Sequence, residues 1–173
     1  MKPALFLDRD DTLVVDTGYV YKISDFRWMA GADTALQFAR QHNIDVFIVT
    51  NQGGIARGFF TEEQMHGFNE KLKSETIQAG GYIADIAFCP HHPQAIIPAL
   101  KTPCACRKPK AGMLRQLAEK WQIDLSRSVM IGDKDTDVKA GEAAGCTSVR
   151  FDPDTNLFDC VGSALAQAGL INY

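Results

Sequence analysis

Short apolar runs of strand length, each stopping at polar residues, alternate along this chain with longer segments of helical spacing. Residues 4–7 (ALFL) end at Asp8, and residues 45–49 (DVFIV) end at Thr50 and Asn51. Similar runs cover 83–88 (IADIAF) and 128–131 (SVMI), with a weaker one at 147–151 (TSVRF). An apolar run without alternation suits a strand buried on both faces, so these segments predict about five strands of one covered sheet. Helical patterns fall at 32–42, 61–79, 111–121, 135–144 and 156–168. In the second, Thr61 and Gln64 have capping-box spacing, and Met65, Phe68, Leu72 and Ile77 are expected on one face. Strand-helix alternation predicts an α/β fold, with a parallel sheet between two helical layers. Ligands of such sheets bind beyond the carboxyl ends of the strands. Those ends here carry Asp8, Asp10, Thr50, Asn51, Cys89 and Asp133.

The 173 residues suit one domain spanning 1–173, with no repeat or linker to divide it. Apolar residues at 46% and charged residues at 23% predict a packed core rather than disorder. A net charge of -3, without a run of five like charges, argues against an extended grip on nucleic acid or a membrane surface. A small-molecule partner and a monomer are expected. The opening MKPALFL is too short for a secretory signal or a membrane span, which points to the cytoplasm. Segments 12–30 and 89–110 have no regular pattern; the second holds five of the seven prolines. The first is expected to be a flap over the site.

Asp8 and Asp10 follow the first strand with one residue between them. A carboxylate can serve as a covalent nucleophile while a second one moves the leaving-group proton. Carboxylates facing a phosphate dianion need a hard cation, and magnesium suits such oxygen ligands. Asp133 is the third candidate acid, with Asp137 beside it. Thr50, Asn51, Gln52 and Gly53 offer a hydroxyl and backbone N–H groups suited to phosphate oxygens. Lys108 would neutralise a phosphoryl group, and the forked donors of Arg107 suit a second phosphate or sugar hydroxyls. No G-x-x-x-x-G-K-[ST] stretch is present, which argues against triphosphate hydrolysis.

Cys89-x-His91 and Cys104-x-Cys106 supply three sulfurs and an imidazole in two tight pairs, a closed donor set for structural zinc. A disulfide is the competing reading, and His92 is the alternative histidine ligand. Zinc would hold the proline-rich segment and the Arg107 and Lys108 that follow it. Cys146 and Cys160 are expected to be small core residues.

Taken in order, FLDRDDT, VTNQGG, RKPK and IGDKDTD resemble the haloacid dehalogenase-like (HAD-like) phosphohydrolases from Leu5 to about Gly145. The resemblance implies a Rossmann-like parallel sheet without a large cap domain. It implies Asp8 as nucleophile, Asp10 as general acid/base, and Thr50 and Lys108 as holders of the phosphoryl group. Magnesium would rest on the Asp8 and Asp133 carboxylates and the Asp10 backbone carbonyl. CPHHP...CACRKPKAGM resembles the zinc-loop branch, which acts on a heptose bisphosphate or on histidinol phosphate; NQGGIARG favours the heptose side. That side implies removal of the C7 phosphate of D-glycero-D-manno-heptose 1,7-bisphosphate, on the way to nucleotide-activated heptose for the bacterial cell surface. Asp16, Thr17, Gly18, Tyr19, Asn51, Gln52, Gly53, Arg107 and Lys134 would then contact substrate. One departure stands out: Asp11 occupies a position that is usually Gly in the family. It would either crowd the phosphate, strain the backbone at positive φ, or face solvent.

Overall fold

A computed structural model describes residues 1–172. Five parallel strands form one sheet: β1 (Ala4–Leu7), β2 (Asp45–Asn51), β3 (Asp85–Cys89), β4 (Val129–Gly132) and β5 (Thr147–Arg150). Their spatial order is β3-β2-β1-β4-β5. β1 is central, with Leu7 paired to Ile48 on one side and Ile131 on the other. The chain moves outward from β1 through β2 to β3, then returns to β4 on the opposite flank. That reversal places a crevice between the carboxyl ends of β1 and β4. Asp8 follows β1 and Asp133 follows β4, so both stand at this crevice.

Alternation of side chains divides each central strand between two cores. Leu5, Leu7, Val46, Ile48, Val129 and Ile131 face one layer, built with residues of α1 (Ala32–Gln41), α2 (Glu62–Gln78) and α5 (Leu157–Gln167). Ala4, Phe6, Phe47, Val49 and Met130 face the other, built with α3 (Gly112–Trp121) and α4 (Asp135–Ala144). The result is the three-layer α/β arrangement that the sequence predicts, with no inserted cap domain among the described residues. No described helix is long and apolar enough to cross a membrane.

The capping box of α2 forms as its spacing predicts: Gln64 N–H donates to Thr61 Oγ1 at 3.1 Å, and Thr61 N–H donates to Gln64 Oε1 at 2.9 Å. One residue of the expected face is wrong. Ile77 is 60% exposed, whereas Thr76 is fully buried and donates to the Leu72 carbonyl. From Leu72, a four-residue step keeps the same face and a five-residue step rotates away by about 140°. Asn69 joins the buried stripe instead.

Segment 12–30 folds back on itself. Val15 N–H donates to Arg27 O, Met29 N–H donates to Leu13 O, and Leu13, Val14 and Val20 are buried. It is therefore anchored in the core at its base, leaving Thr17, Gly18 and Tyr19 exposed at its tip.

Candidate active site

Asp8 is the first residue beyond β1, and only 4% of its surface is exposed. Its Oδ1 accepts from Lys108 Nζ at 2.7 Å. The same ammonium reaches Asp137 Oδ1 at 2.6 Å and donates to the Val49 carbonyl at 2.7 Å. All three ammonium protons thus have acceptors, and Lys108 must yield one of them to engage a phosphoryl oxygen. Burial alone would push the Lys108 ammonium down, but Asp8 and Asp137 outweigh it and hold its pKa above the ordinary range.

Asp137 also accepts from Lys134 N–H through Oδ2 at 2.9 Å, which closes the first turn of α4. The geometry explains why Gly132 lacks a side chain: a Cβ there would lie 2.4 Å from Asp137. Asp133 stands beside these groups, with Thr12 Oγ1 at 3.5 Å and Lys134 Nζ at 3.8 Å. Burial raises the Asp133 carboxyl to about 6; Lys134 opposes the rise, and Asp8 and Asp137 add to it. Carboxylate oxygens of Asp8, Asp133 and Asp137 lie within 4.8 Å of one another. Three clustered carboxylates, one of them reluctant to ionise, form an all-oxygen donor set that fits a hard divalent cation. Both oxygens of Asp137 already have protein donors, so Asp8 and Asp133 are the carboxylates available to such an ion.

Asp10 lines the same cleft as Asp8 and Asp137. Its Oδ1 accepts from Arg9 Nε at 2.7 Å and its Oδ2 from Gln52 Nε2 at 2.9 Å. Asp8, Asp10, Thr50, Asn51, Lys108, Lys134, Thr136 and Asp137 enclose a cleft of about 40 Å³. Next to it, a wider cavity of about 470 Å³ is lined by His91, His92, Lys101, Arg107 and Lys110, among others, and Lys108 borders both.

Several residues expected at the ligand are turned toward the protein. Gln52 is 2% exposed and its amide is engaged with Asp10, Thr50 and Arg9. Asn51 pairs with the backbone of Lys108 through both ends of its amide. Asp16 Oδ1 accepts from Gly18 N–H and Val20 N–H, fastening the tip of segment 12–30. Asn51 and Asp16 satisfy backbone groups that would otherwise lack partners, and Gln52 satisfies buried side chains. Tyr19 is exposed, and Arg57 donates to its hydroxyl and lies over its ring. Gly53 is buried under His92 and Arg107, and a Cβ at this position would meet His92 at 2.7 Å. Arg107 Nη1 donates to His91 O, and Lys134 stands at the mouth with its side chain 58% exposed.

Asp11 adopts φ 57°, the left-handed conformation. Its Oδ1 accepts from Asp16 N–H at 3.0 Å, so the carboxylate caps the loop instead of entering the cleft. Of the three alternatives for this position, backbone strain is the one realised.

Cys89, His91, Cys104 and Cys106 converge, with donor atoms all within 4.8 Å of one another. His91 Nδ1 lies 3.6 Å from Cys89 Sγ and 3.4 Å from Cys106 Sγ, and Cys89 and Cys104 sulfurs are 3.6 Å apart. Tetrahedral zinc with metal-sulfur bonds of about 2.3 Å separates its ligands by roughly 3.8 Å, close to these three separations; the Cys89 and Cys106 sulfurs, 2.7 Å apart, would have to spread to admit the ion. All five cysteines are free thiols. Burial, then the neighbouring sulfurs, push the Cys89 thiol well above its ordinary range, whereas hydrogen bonds from the Arg107 backbone and the neighbouring sulfurs outweigh burial at Cys104 and lower its thiol. His92 is directed elsewhere: its Nδ1 accepts from Gln94 N–H. Cys146 is buried as expected, whereas Cys160 is only half-buried against the core.

Arg9, Asn69 and Thr136 also belong to the site or its support, although the sequence motifs do not single them out. A polar residue inside the apolar stripe of α2 is a signal that could have found Asn69. Arg9 was hidden by its acidic neighbours.

Residues 105–151 match the HAD-hydrolase-like family model. A D-glycero-beta-D-manno-heptose-1,7-bisphosphate 7-phosphatase of Rhodopseudomonas palustris is 39% identical over 87% of this chain and 84% of its own length. The chain belongs to the HAD-like phosphatases, hydrolases of phosphoric monoesters. Among its relatives in that class, a D-glycero-alpha-D-manno-heptose-1,7-bisphosphate 7-phosphatase of Photorhabdus laumondii is 39% identical over 81% of this chain and 76% of its own. The crystal structure of D,D-heptose 1,7-bisphosphate phosphatase from B. bronchiseptica, complexed with magnesium and phosphate, superposes with TM-score 0.78 and 31% identity. That match covers 99% of this chain and 89% of the other.

Proposed function

We propose that the chain is a magnesium-dependent phosphatase that removes the C7 phosphate of D-glycero-D-manno-heptose 1,7-bisphosphate through an aspartyl-phosphate. The observation that carries this reading is the pair of carboxylates at the end of β1. Asp8 faces the cleft beside a buried ammonium, and Asp10 is held two residues on. The substrate named for its relatives supports the choice of sugar. Magnesium held by Asp8, Asp133 and the Asp10 carbonyl would supply positive charge for the phosphoryl oxygens. Zinc held by Cys89, His91, Cys104 and Cys106 would be structural.

In the first half-reaction an Asp8 oxygen forms a bond to phosphorus as the C7 oxygen-phosphorus bond breaks. Asp10 gives its proton to the departing alkoxide. Lys108 and the Thr50 hydroxyl stabilise charge on the phosphoryl oxygens. In the second, Asp10 takes a proton from water as the water oxygen bonds to phosphorus and the Asp8 acyl-phosphate breaks. Arg107 and Lys134 at the mouth hold the rest of the sugar phosphate.

The test is phosphate release from both anomers of the heptose bisphosphate, fructose 1,6-bisphosphate and histidinol phosphate, with and without magnesium. The heptose bisphosphate is expected to be the preferred substrate, and only with magnesium. Asp8→Asn should be inactive. Preferred turnover of histidinol phosphate, or activity surviving in Asp8→Asn, would overturn the reading.

A further inference from the structure

Arg9 is the largest fully buried side chain among the described residues. A buried guanidinium is strongly unfavourable unless its charge is paired and its donors are satisfied. Here Nε donates to Asp10 Oδ1 at 2.7 Å, and Nη1 donates to Asn69 Oδ1 at 3.0 Å. Nη2 donates to the Val20 carbonyl and to Gln52 Oε1, both at 3.1 Å. The group lies over Phe68, 4.9 Å from the ring centre. So many fixed contacts give Arg9 no freedom to turn toward a ligand.

The contact with Gln52 settles which way that amide points. Because Arg9 has only donors, it holds the amide oxygen and directs Nε2 toward the site. The two protons of Nε2 then go to Asp10 Oδ2 at 2.9 Å and Thr50 Oγ1 at 2.8 Å. Since Thr50 accepts at its oxygen, its own hydroxyl proton is left to turn into the cleft that Thr50 lines.

We propose that Arg9 and Gln52 are positioning residues that hold Asp10 from both carboxylate oxygens and make Thr50 a donor toward the phosphoryl group. This rests on the reading of Asp10 as general acid/base. The clamp places the acid and the phosphoryl donor in one rigid network. Through Val20 and Asn69 it also ties that network to segment 12–30 and to α2.

A readout separates positioning of an acid from general damage. An alkyl phosphate needs a proton on its leaving oxygen, whereas p-nitrophenolate leaves without one. Gln52→Met and Arg9→Lys should therefore lower the ratio of alkyl to aryl phosphorylation rates about tenfold or more, measured by rapid quench with magnesium present. On the sugar bisphosphate, kcat should fall about a hundredfold, the cost of small misplacement of a reacting group, with KM little changed. p-Nitrophenyl phosphate should give a burst of nitrophenolate followed by slow turnover, because water activation also needs Asp10. Thr50→Val should slow both esters alike. The proposal is overturned if both variants keep the wild-type ratio, or if Gln52→Met raises KM at unchanged kcat, which would make Gln52 a substrate contact. Should Arg9→Lys not fold, Gln52→Met decides alone, since its side chain fills the same space. If instead Asp10→Asn keeps the wild-type ratio, Asp10 is not the acid, and the underlying reading fails separately from the clamp.

Discussion

Replacing Lys108 with methionine tests the electrostatic centre of the site. The residue is 3% exposed, and its ammonium has three acceptors: Asp8 Oδ1 at 2.7 Å, Asp137 Oδ1 at 2.6 Å and Val49 O at 2.7 Å. Methionine keeps the length and apolar stem but leaves two carboxylates buried without their shared counter-charge. Breaking a buried pair from one side costs about 3–5 kcal/mol. In a protein of this size each kcal/mol moves Tm by roughly 2–4 °C, so Lys108→Met should lower Tm by about 6–20 °C. The assay is urea unfolding at pH 7 of wild type, Lys108→Met, Asp137→Asn and the double variant. Asparagine at 137 keeps an oxygen for Lys134 N–H while removing one stranded charge. The double variant should be more stable than the sum of the single losses by about 1–3 kcal/mol. A loss under about 1 kcal/mol for Lys108→Met, or strict additivity, would refute the claim that these charges form one unit.

Three further outcomes are expected. Asp11→Gly relieves a left-handed residue, worth about 1–2 kcal/mol, but gives up one hydrogen bond and stiffness of the unfolded chain; stability should stay within about 1 kcal/mol by calorimetry. Its activity should match wild type, because the carboxylate faces Asp16 N–H; a large gain would mean that Asp11 intrudes on phosphate. Cys106→Ser, or removal of the proposed zinc with a chelator followed by excess magnesium, should abolish phosphate release in step with the zinc content found by elemental analysis, since Arg107 and Lys108 follow the last ligand directly. Burial lifts the Cys146 thiol to about 12 from an ordinary value of 9.0. Between those values the unfolded chain has lost a proton that the folded one keeps, so stability falls as pH rises above about 9. Cys146→Ala should remove that part of the decline in denaturation curves collected from pH 8 to 10.5, and iodoacetamide should leave Cys146 unmodified in the folded protein at pH 8.

Much of this protein follows from signals carried within a few residues. A buried strand must be a short apolar run, so ALFL and DVFIV announce β1 and β2. The Thr61 and Gln64 side chains each accept from the other's backbone N–H, so the start of α2 is local chemistry. The Cys-x-His and Cys-x-Cys pairs are close enough along the chain to bind one ion once β3 and its loop meet. Strand ends in a parallel sheet gather on one edge, which brings Asp8, Thr50 and Asp133 to a common site.

Other decisions required partners far away in sequence. Arg9 turns inward because Asn69, Gln52 and the Val20 carbonyl surround it, and no local pattern states that those groups will be adjacent. Gln52, Asn51 and Asp16 have the chemistry of ligand contacts, and only the tertiary structure shows that their side chains are also engaged with protein donors and acceptors. Ile77 was placed on the core by its chemistry and removed from it by about 100° of helix rotation per residue. Sequence determines which residues have the chemistry for catalysis, because composition and spacing are local. Tertiary structure decides which of them face the substrate and which hold the others still, because a hydrogen bond needs both of its partners.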